Sequence, residues 1–471
     1  MSSCAQCGRQ FEPTLGGELR CAECAAAGQP AATSEGRKAS LTAYLHSPTF
    51  VLIAVNVMMF IVTVVLSRSV IQFGVPVLTR LGANSTTLSL GGEPWRLFTY
   101  QFLHGGLLHL VFNMWALLNL GMLVEILFGR RSAILMYLSC GVAGGLASLW
   151  WHQMSTGVGA SGSIFGLAGA LLPALAFQKN ERMRAALRGN LSSIGLFVVY
   201  NIAFGAAAAR VDNAAHLGGL VCGVALGLLL PSSPGADSEH HLARRGTIFA
   251  GTAVVLVVLL FALRTERAPL LDFLRAEDAY RSGRFAQAVE LGNRSAARNP
   301  NDPATRFLLG MVYMEMGDDA KAALELEKTT ELKPDFAAAF TQLCAARLGL
   351  GQVKSALDAC RRATELEPGD SKYFIKLGLA LRVAGDAEAS AAAFRKALEL
   401  NPDGADENYA YGEAMLERGD RFTAVSVFEK ALAANPAHKA ARFALIQLYA
   451  SMGETAKAKR LADEFRQSQR H

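Results

Sequence analysis

Long apolar stretches occupy the middle of the chain, and polar or alanine-rich sequence lies on either side of them. Seven stretches of about 17–23 residues are each long enough to cross the hydrocarbon core of a membrane as a helix. We predict spans near residues 49–66, 107–128, 132–152, 160–178, 191–209, 213–230 and 247–263. The pattern therefore predicts a mainly α, polytopic helix bundle in a lipid bilayer.

Basic residues predict the orientation of these spans. With the N-terminus in the cytoplasm, the cytoplasmic connections carry most of the Lys and Arg, including the pairs Arg130-Arg131 and Arg244-Arg245. This distribution follows the positive-inside rule. Seven crossings then place the chain beyond Arg264 on the non-cytoplasmic side. The net charge of +6 comes without a basic tract, so nothing indicates a nucleic-acid partner.

The last third of the chain has a period of 34 residues. Glycine recurs at that step at Gly283, Gly317, Gly351, Gly385, Gly419 and Gly453. Proline keeps the same step at Pro300, Pro334, Pro368, Pro402 and Pro436. Helix, turn, helix and proline stop describe a tetratricopeptide unit. We predict about six repeats over 268–471, forming an α-solenoid whose groove takes a peptide or protein partner. A spacer without a ligand is the alternative.

Four of the eight cysteines form two Cys-x-x-Cys pairs near the N-terminus, namely Cys4, Cys7, Cys21 and Cys24. Two such pairs suit a tetrahedral structural Zn²⁺ site. We predict a zinc-ribbon-like module over 1–27, followed by a linker over 28–47. Two disulfides or a redox pair are the alternatives.

Cys344 and Cys360 occupy facing helices of one predicted repeat. Outside the cytoplasm they would be free to form a disulfide, because thiols persist mainly in reducing compartments. Both also suit a reduced, packed core, so the sequence leaves the two states open.

Three spans carry polar side chains, which are costly in a bilayer and commonly mark function. The second span and its start hold His104, His109, Asn113 and Glu125, the fourth begins at Gly159-Ala160-Ser161-Gly162, and the sixth holds His216. A serine hydroxyl needs a base within hydrogen-bond reach to act as a nucleophile. Ser161, with one of the histidines as its base, is therefore a candidate for covalent catalysis.

Stripes of small residues indicate which histidine meets Ser161. They recur every fourth residue at Gly162, Gly166 and Ala170, and at Gly219, Gly223 and Gly227. Such stripes let membrane helices approach closely, so we predict that the fourth and sixth spans pack together and bring Ser161 to His216. His109 and Asn113 lie on one face of the second span and are candidate oxyanion donors. Taken singly, each feature is also typical of packing; their joint occurrence favours catalysis.

At these residues, 48–230 resembles the rhomboid family of intramembrane serine proteases. The resemblance rests on Trp95-Arg96, on His104, His109 and Asn113, on Gly121 and Glu125, on Gly159-Ala160-Ser161-Gly162 with Phe165, and on Ala215-His216 with Gly218-Gly219. It implies that Ser161 is the nucleophile and His216 the general base. It also implies that His109, Asn113 and the Ser161 amide line the oxyanion site, that Phe165 lies against His216, and that His104 and Glu125 are structural.

The combined interpretation is a rhomboid-type serine endopeptidase that cleaves transmembrane protein substrates. A six-span core over 48–230 precedes a linker and a seventh span over 231–267, and the repeats follow. This combination of modules suggests a bacterial plasma membrane. The alternative is a catalytically silent scaffold that binds partners through its repeats. A transporter is disfavoured because the spans show no internal duplication.

Overall fold

The computed structural model describes residues 2–3, 10–11, 47–152, 154, 156–177, 181–207, 211–230 and 239–468. These fall into two compact units, Met1–Glu266 and Arg267–His471. Helices dominate both units, as the sequence predicts. The described strands are two antiparallel pairs, β1 (Ser2–Ser3) with β2 (Gln10–Phe11), and β3 (Asn84–Ser85) with β4 (Thr156–Gly157).

Apolar helices build the first unit. Three short helices follow the first long one, and a 3-10 turn precedes the second. In chain order they are α1 (Pro48–Ser67), α2 (Val75–Arg80), α3 (Thr86–Ser89), α4 (Arg96–Thr99), the 3-10 turn Tyr100–Phe102, α5 (Leu107–Phe128), α6 (Arg130–Trp151), α7 (Ser161–Ala176), α8 (Glu181–Ala207), α9 (Asn213–Leu229) and α10 (Glu239–Glu266).

Each predicted span corresponds to one apolar helix or to an apolar part of one, which confirms the polytopic bundle. By length and composition, the described helices that can cross a membrane are Pro48–Ser67, Leu107–Phe128, Arg130–Trp151 and Leu242–Glu266, and shorter apolar helices lie at Ser161–Ala176, Ser192–Ala203 and Asn213–Leu229. The fourth span is shorter than predicted, at 16 residues. It begins at Ser161, one residue later than predicted, after Gly159, whose φ of +133° is a non-helical conformation. It ends at Ala176, two residues earlier than predicted.

Helices α7 and α9 meet backbone to backbone along the predicted stripes. A Cβ added to Gly219 would lie 1.9 Å from the carbonyl oxygen of Gly162, and one added to Gly223 would lie 1.9 Å from that of Gly166. At Gly227 the corresponding distance to the Ala170 oxygen is 2.3 Å. The prediction that the fourth and sixth spans pack along these residues is confirmed. Any side chain at these glycines would push the two helices apart.

Helix pairs build the second unit. They are α11 (Ala268–Arg281), α12 (Phe285–Arg298), α13 (Pro303–Glu315), α14 (Asp319–Leu332), α15 (Ala337–Gly349), α16 (Val353–Leu366), α17 (Ser371–Val383), α18 (Ala387–Leu400), α19 (Ala405–Glu417), α20 (Arg421–Ala434), α21 (Lys439–Ser451) and α22 (Thr455–Ser468). All six periodic glycines lie in the turns with φ between 71° and 83°. That left-handed conformation disfavours other residues, which explains the strict spacing.

A disulfide joins Cys344 on α15 to Cys360 on α16. Both cysteines are buried among alanine and leucine side chains of the repeat core. Of the two states that the sequence left open, the structure contains the bonded one.

Candidate active site

The imidazole of His216 stacks on Phe165. The ring centroids are 4.2 Å apart, and the planes differ by 4°. Phe165 lies one turn after Ser161, so His216 covers the first turn of α7, at the end that carries Ser161. His216 is buried, and its Nδ1 atom has no hydrogen-bond partner among the residues that the structure describes. Stacking on Phe165 therefore orients the His216 ring, a role that a hydrogen-bond acceptor at Nδ1 would otherwise have.

Gly159 lies between His109 and Ser161. A Cβ at this position would lie 2.8 Å from His109 Cε1, 3.0 Å from His109 Nε2 and 3.7 Å from Ser161 Oγ. The main-chain N–H of Gly159 donates to the Tyr100 carbonyl oxygen at 3.0 Å. Because Gly159 has no side chain, a space remains there, and the Ser161 hydroxyl and the His109 imidazole both lie beside it. Glycine is required here for that space as well as for its backbone conformation.

His109 presents a donor toward this space. Its Nδ1 accepts a hydrogen bond from the Gly105 amide at 3.3 Å. A neutral imidazole that accepts at one nitrogen carries its proton on the other, here Nε2, which is the atom beside Gly159. His109 is therefore oriented to donate to an oxygen that occupies the space next to Ser161.

Asn113 has a different local role. Its side-chain amide donates to the His109 carbonyl oxygen at 3.0 Å, within α5. The bond occupies one of the two amide protons, so the other remains for a ligand. Ser161 and His216 are not joined by a hydrogen bond in the described part of the chain. The structure thus brings the two helix ends together without a closed dyad.

His104 and Glu125 fill positions outside this space. His104 is 1% exposed, and its ring centroid lies 5.1 Å from that of His109. Glu125 accepts from the Thr49 amide at 2.7 Å and from the Ser47 hydroxyl at 2.8 Å. It thereby caps the N-terminus of α1, where a negative charge is stabilising.

The loop helix α4 is anchored by Arg96. Its guanidinium donates to Glu93 at 2.7 Å and to the Thr79 carbonyl oxygen at 2.6 Å. It also lies 4.7 Å from the centre of the Trp95 ring, within the range of a cation–π contact. The Trp95-Arg96 pair thus fixes the connection between α1 and α5.

Three polar residues that sequence reasoning passed over also support the site. The Tyr100 hydroxyl donates to the Gly141 oxygen at 2.6 Å, and Gln101 accepts from Ser163 at 3.0 Å. Asp212 caps α9 by accepting from the Ala215 amide at 3.0 Å. Only Asp212 had a sequence signal, since an acidic residue four positions before His216 suits a helix N-cap.

The four N-terminal cysteines, Cys4, Cys7, Cys21 and Cys24, lie outside the described residues. The predicted zinc module therefore stays a prediction.

Comparison with known proteins assigns the two units. Residues 91–233 match the family model of the rhomboid domain. Tetratricopeptide-repeat models match 279–346, 345–405 and 423–470. The chain carries a rhomboid domain followed by tetratricopeptide repeats. This confirms the domain types that the resemblance and the 34-residue period predicted.

Named relatives are similar to parts of the chain. The chain is 30% identical over 300 residues to the rhomboid protease GluP of Bacillus subtilis (strain 168), covering 63% of this chain and 56% of that protein. It is 38% identical over 162 residues to RHOMBOID-like protein 5 of Arabidopsis thaliana, covering 34% and 52% respectively. The chain spans about half the length of the curated relatives it matches.

Among solved structures, the crystal structure of MamA is 27% identical in sequence, with a TM-score of 0.32. The match covers 34% of this chain and 94% of MamA.

Proposed function

We propose that this chain is an intramembrane serine endopeptidase in which Ser161 attacks the substrate and His216 is its base. The observation that carries the proposal is the meeting of two helix ends, since His216 of α9 stacks at 4.2 Å on Phe165, one turn after Ser161. The rhomboid domain and the similarity to a named rhomboid protease support the same chemistry.

In the proposed reaction, Ser161 Oγ attacks the carbonyl carbon of a peptide bond while His216 takes its proton. The imidazolium returns that proton to the leaving amine, which leaves an acyl-enzyme. Water, activated by the same imidazole, then releases the second product and regenerates both side chains. For the first step, the hydroxyl and the imidazole must come within hydrogen-bond reach, and such contacts often tighten only when substrate binds.

The space beside Gly159 is the proposed oxyanion site. His109 Nε2 borders it on one side and Ser161 on the other. A donor held in place before the reaction stabilises charge that develops on the carbonyl oxygen. We assign this role to His109 and to the Ser161 amide, with Asn113 contributing its remaining amide proton.

The proposed substrates are transmembrane proteins, and the array binds a peptide or protein partner. We place the N-terminus in the cytoplasm and the array on the non-cytoplasmic side of a bacterial plasma membrane. The disulfide between Cys344 and Cys360 supports this placement, because disulfides are rare in the cytosol. Digestion of intact spheroplasts by an external protease should remove the array. A fully protected array would contradict the orientation.

We also retain the structural Zn²⁺ site at the four N-terminal cysteines as a proposal. Purified protein under reducing conditions should contain one zinc per chain, and Cys4→Ser with Cys7→Ser should remove it. An equal zinc content in both proteins would contradict the assignment.

A fluorophosphonate that carries a fluorophore tests the serine chemistry without a known substrate. The full chain should react at Ser161, and Ser161→Ala should abolish the reaction. Ser282→Ala is the matched control, because Ser282 is an exposed serine directly after α11. Its labelling should persist. Equal labelling of the wild type and Ser161→Ala would refute the proposal and favour the alternative, a scaffold that binds partners through its repeats.

A further inference from the structure

Among the described contacts, the His216 ring is oriented by stacking on one face and not by a hydrogen bond at Nδ1. Phe165 stacks against its face, whereas Nδ1 meets no acceptor in the described segments. In serine hydrolases with three catalytic residues, a carboxylate bonded to that nitrogen orients the base. Here the position of the base depends instead on how firmly the first turn of α9 is held.

Asp212 holds that turn through three hydrogen bonds. One carboxylate oxygen accepts from the Ala215 amide at 3.0 Å, and the Asp212 carbonyl oxygen accepts from the His216 amide at 3.2 Å. The other carboxylate oxygen accepts from the Ser148 hydroxyl at 2.5 Å. Ser148 belongs to α6, so Asp212 joins the turn that carries His216 to a second helix.

The same turn touches α6 directly. A Cβ at Gly144 would lie 2.7 Å from the Ala215 carbonyl oxygen, so little room separates the two backbones. His152, after the end of α6, places Nε2 at 3.6 Å from Asp212. Both side chains of this outer pair are partly exposed, at 42% and 29%. An exposed pair contributes little by itself, so the Ser148 bond is the main side-chain link between the helices.

We propose that Asp212 is a positioning residue, which sets the place of His216 relative to Ser161 by fastening the first turn of α9 to α6. The inference rests on the proposed function, since it concerns the base of that reaction. A displacement of the base by about 1 Å can cost a hundredfold in rate even when the fold is intact. Among the described residues, the Asp212 carboxylate bonds to Ser148 and Ala215 and not to Ser161.

The test separates the rate of fluorophosphonate labelling from its extent. A misplaced base lowers the rate constant at which Ser161 reacts, whereas loss of folded protein lowers the fraction that reacts at all. Asp212→Ala should lower the rate constant about tenfold or more. The final extent of labelling should differ from that of the wild type by less than about one third.

Two milder variants keep the test decisive if Asp212→Ala folds poorly. Asp212→Asn can still cap α9, because asparagine is as good an N-cap as aspartate. It should label faster than Asp212→Ala. Ser148→Ala removes only the link to α6 and should lower the rate constant by about threefold, a loss typical of one hydrogen bond.

Asp386→Ala is the matched control. Asp386 caps α18 in the array, where its carboxylate accepts from the Ala389 amide at 3.0 Å. Its loss removes a cap of the same kind from a helix of the second unit, so labelling of Ser161 should keep the wild-type rate constant.

Two outcomes would overturn the inference. If Asp212→Ala and Ser148→Ala label at the wild-type rate constant, Asp212 does not position the base. If they lower only the extent of labelling, Asp212 acts on stability alone. A wild-type chain that does not label at all would instead overturn the proposed function, so the two failures are distinguishable.

Discussion

Glycine is used in opposite ways in the two units. In the first unit, Gly219 and Gly223 allow two helix backbones to meet, because the carbonyl oxygens of Gly162 and Gly166 lie where the Cβ atoms of larger residues would be. In the second, Gly378 and Gly412 make room for rings, and a Cβ there would lie 2.6 Å from Phe394 and 2.5 Å from Phe428.

The difference follows from the surrounding solvent. Lipid tails are as apolar as leucine, so burial of apolar side chains does not drive association of membrane helices, and close van der Waals contact must do so. In water, burial of a large side chain is itself the driving force. The same residue type therefore supports intimate contact in one unit and large buried side chains in the other.

The largest expected effect tests the backbone contact. Gly223→Leu should prevent α7 and α9 from packing, because even its Cβ would lie 1.9 Å from a carbonyl oxygen. The detergent-solubilised protein should lose the melting transition of the first unit and its fluorophosphonate labelling. Gly251→Leu on α10 is the control, since a Cβ there meets nothing within 4 Å. Equal behaviour of the two variants would contradict the packing account.

The next largest expected effect comes from the loss of a buried aromatic side chain in the array. Phe428 is fully buried, so Phe428→Ala should lower the free energy of unfolding of the array by about 3–5 kcal/mol. Phe422→Ala, at a side chain that is 80% exposed, should change it by less than about 0.5 kcal/mol. Chemical denaturation monitored by circular dichroism measures both. Labelling of Ser161 should be unchanged, and its loss in Phe428→Ala would show that the units are not energetically separate.

The disulfide sharpens the comparison further. Replacing Cys344 and Cys360 by alanine opens a loop of about 15 residues, which should cost the array about 3 kcal/mol. The described cysteines of the first unit, Cys140 and Cys222, are free, so a reductant should destabilise the array and leave labelling of Ser161 intact. A reductant should not destabilise the double variant further. If the reductant destabilised the double variant further, the effect of the reductant would not come from the disulfide between Cys344 and Cys360.

The smallest effect is that of a helix cap. Asp386→Ala should lower the free energy of unfolding of the array by about 1 kcal/mol, and Asp386→Asn by only a few tenths. Urea denaturation of the two variants in parallel measures the difference. Equal losses would mean that the charge of Asp386, and not its hydrogen bond to Ala389, is what stabilises α18.

Local patterns made most of the fold predictable. The turns of the array require a left-handed backbone conformation, and the glycine at each turn indicates that conformation in the sequence. The membrane spans could be predicted from the length of each apolar stretch alone. The stripes of α7 and α9 were equally readable, because small residues at a spacing of four face one direction on a helix.

The site was less predictable because its hydrogen bonds join distant segments. Ser148 lies 64 positions from Asp212, and Ser163 lies 62 positions from Gln101. Asn113 shows the same limit, since its place on a helix face gave no sign of its bond to the His109 carbonyl oxygen. Sequence spacing thus indicated which face a residue occupies but not which atom it contacts.

Cleavage of a single-span reporter protein in reconstituted vesicles tests the central claim most directly. The wild-type chain should cut the reporter within or beside its membrane segment. Ser161→Ala and His216→Ala should each lower the cleavage rate by at least about a thousandfold, with Ser282→Ala close to wild type. Cleavage that persists in Ser161→Ala would contradict the account.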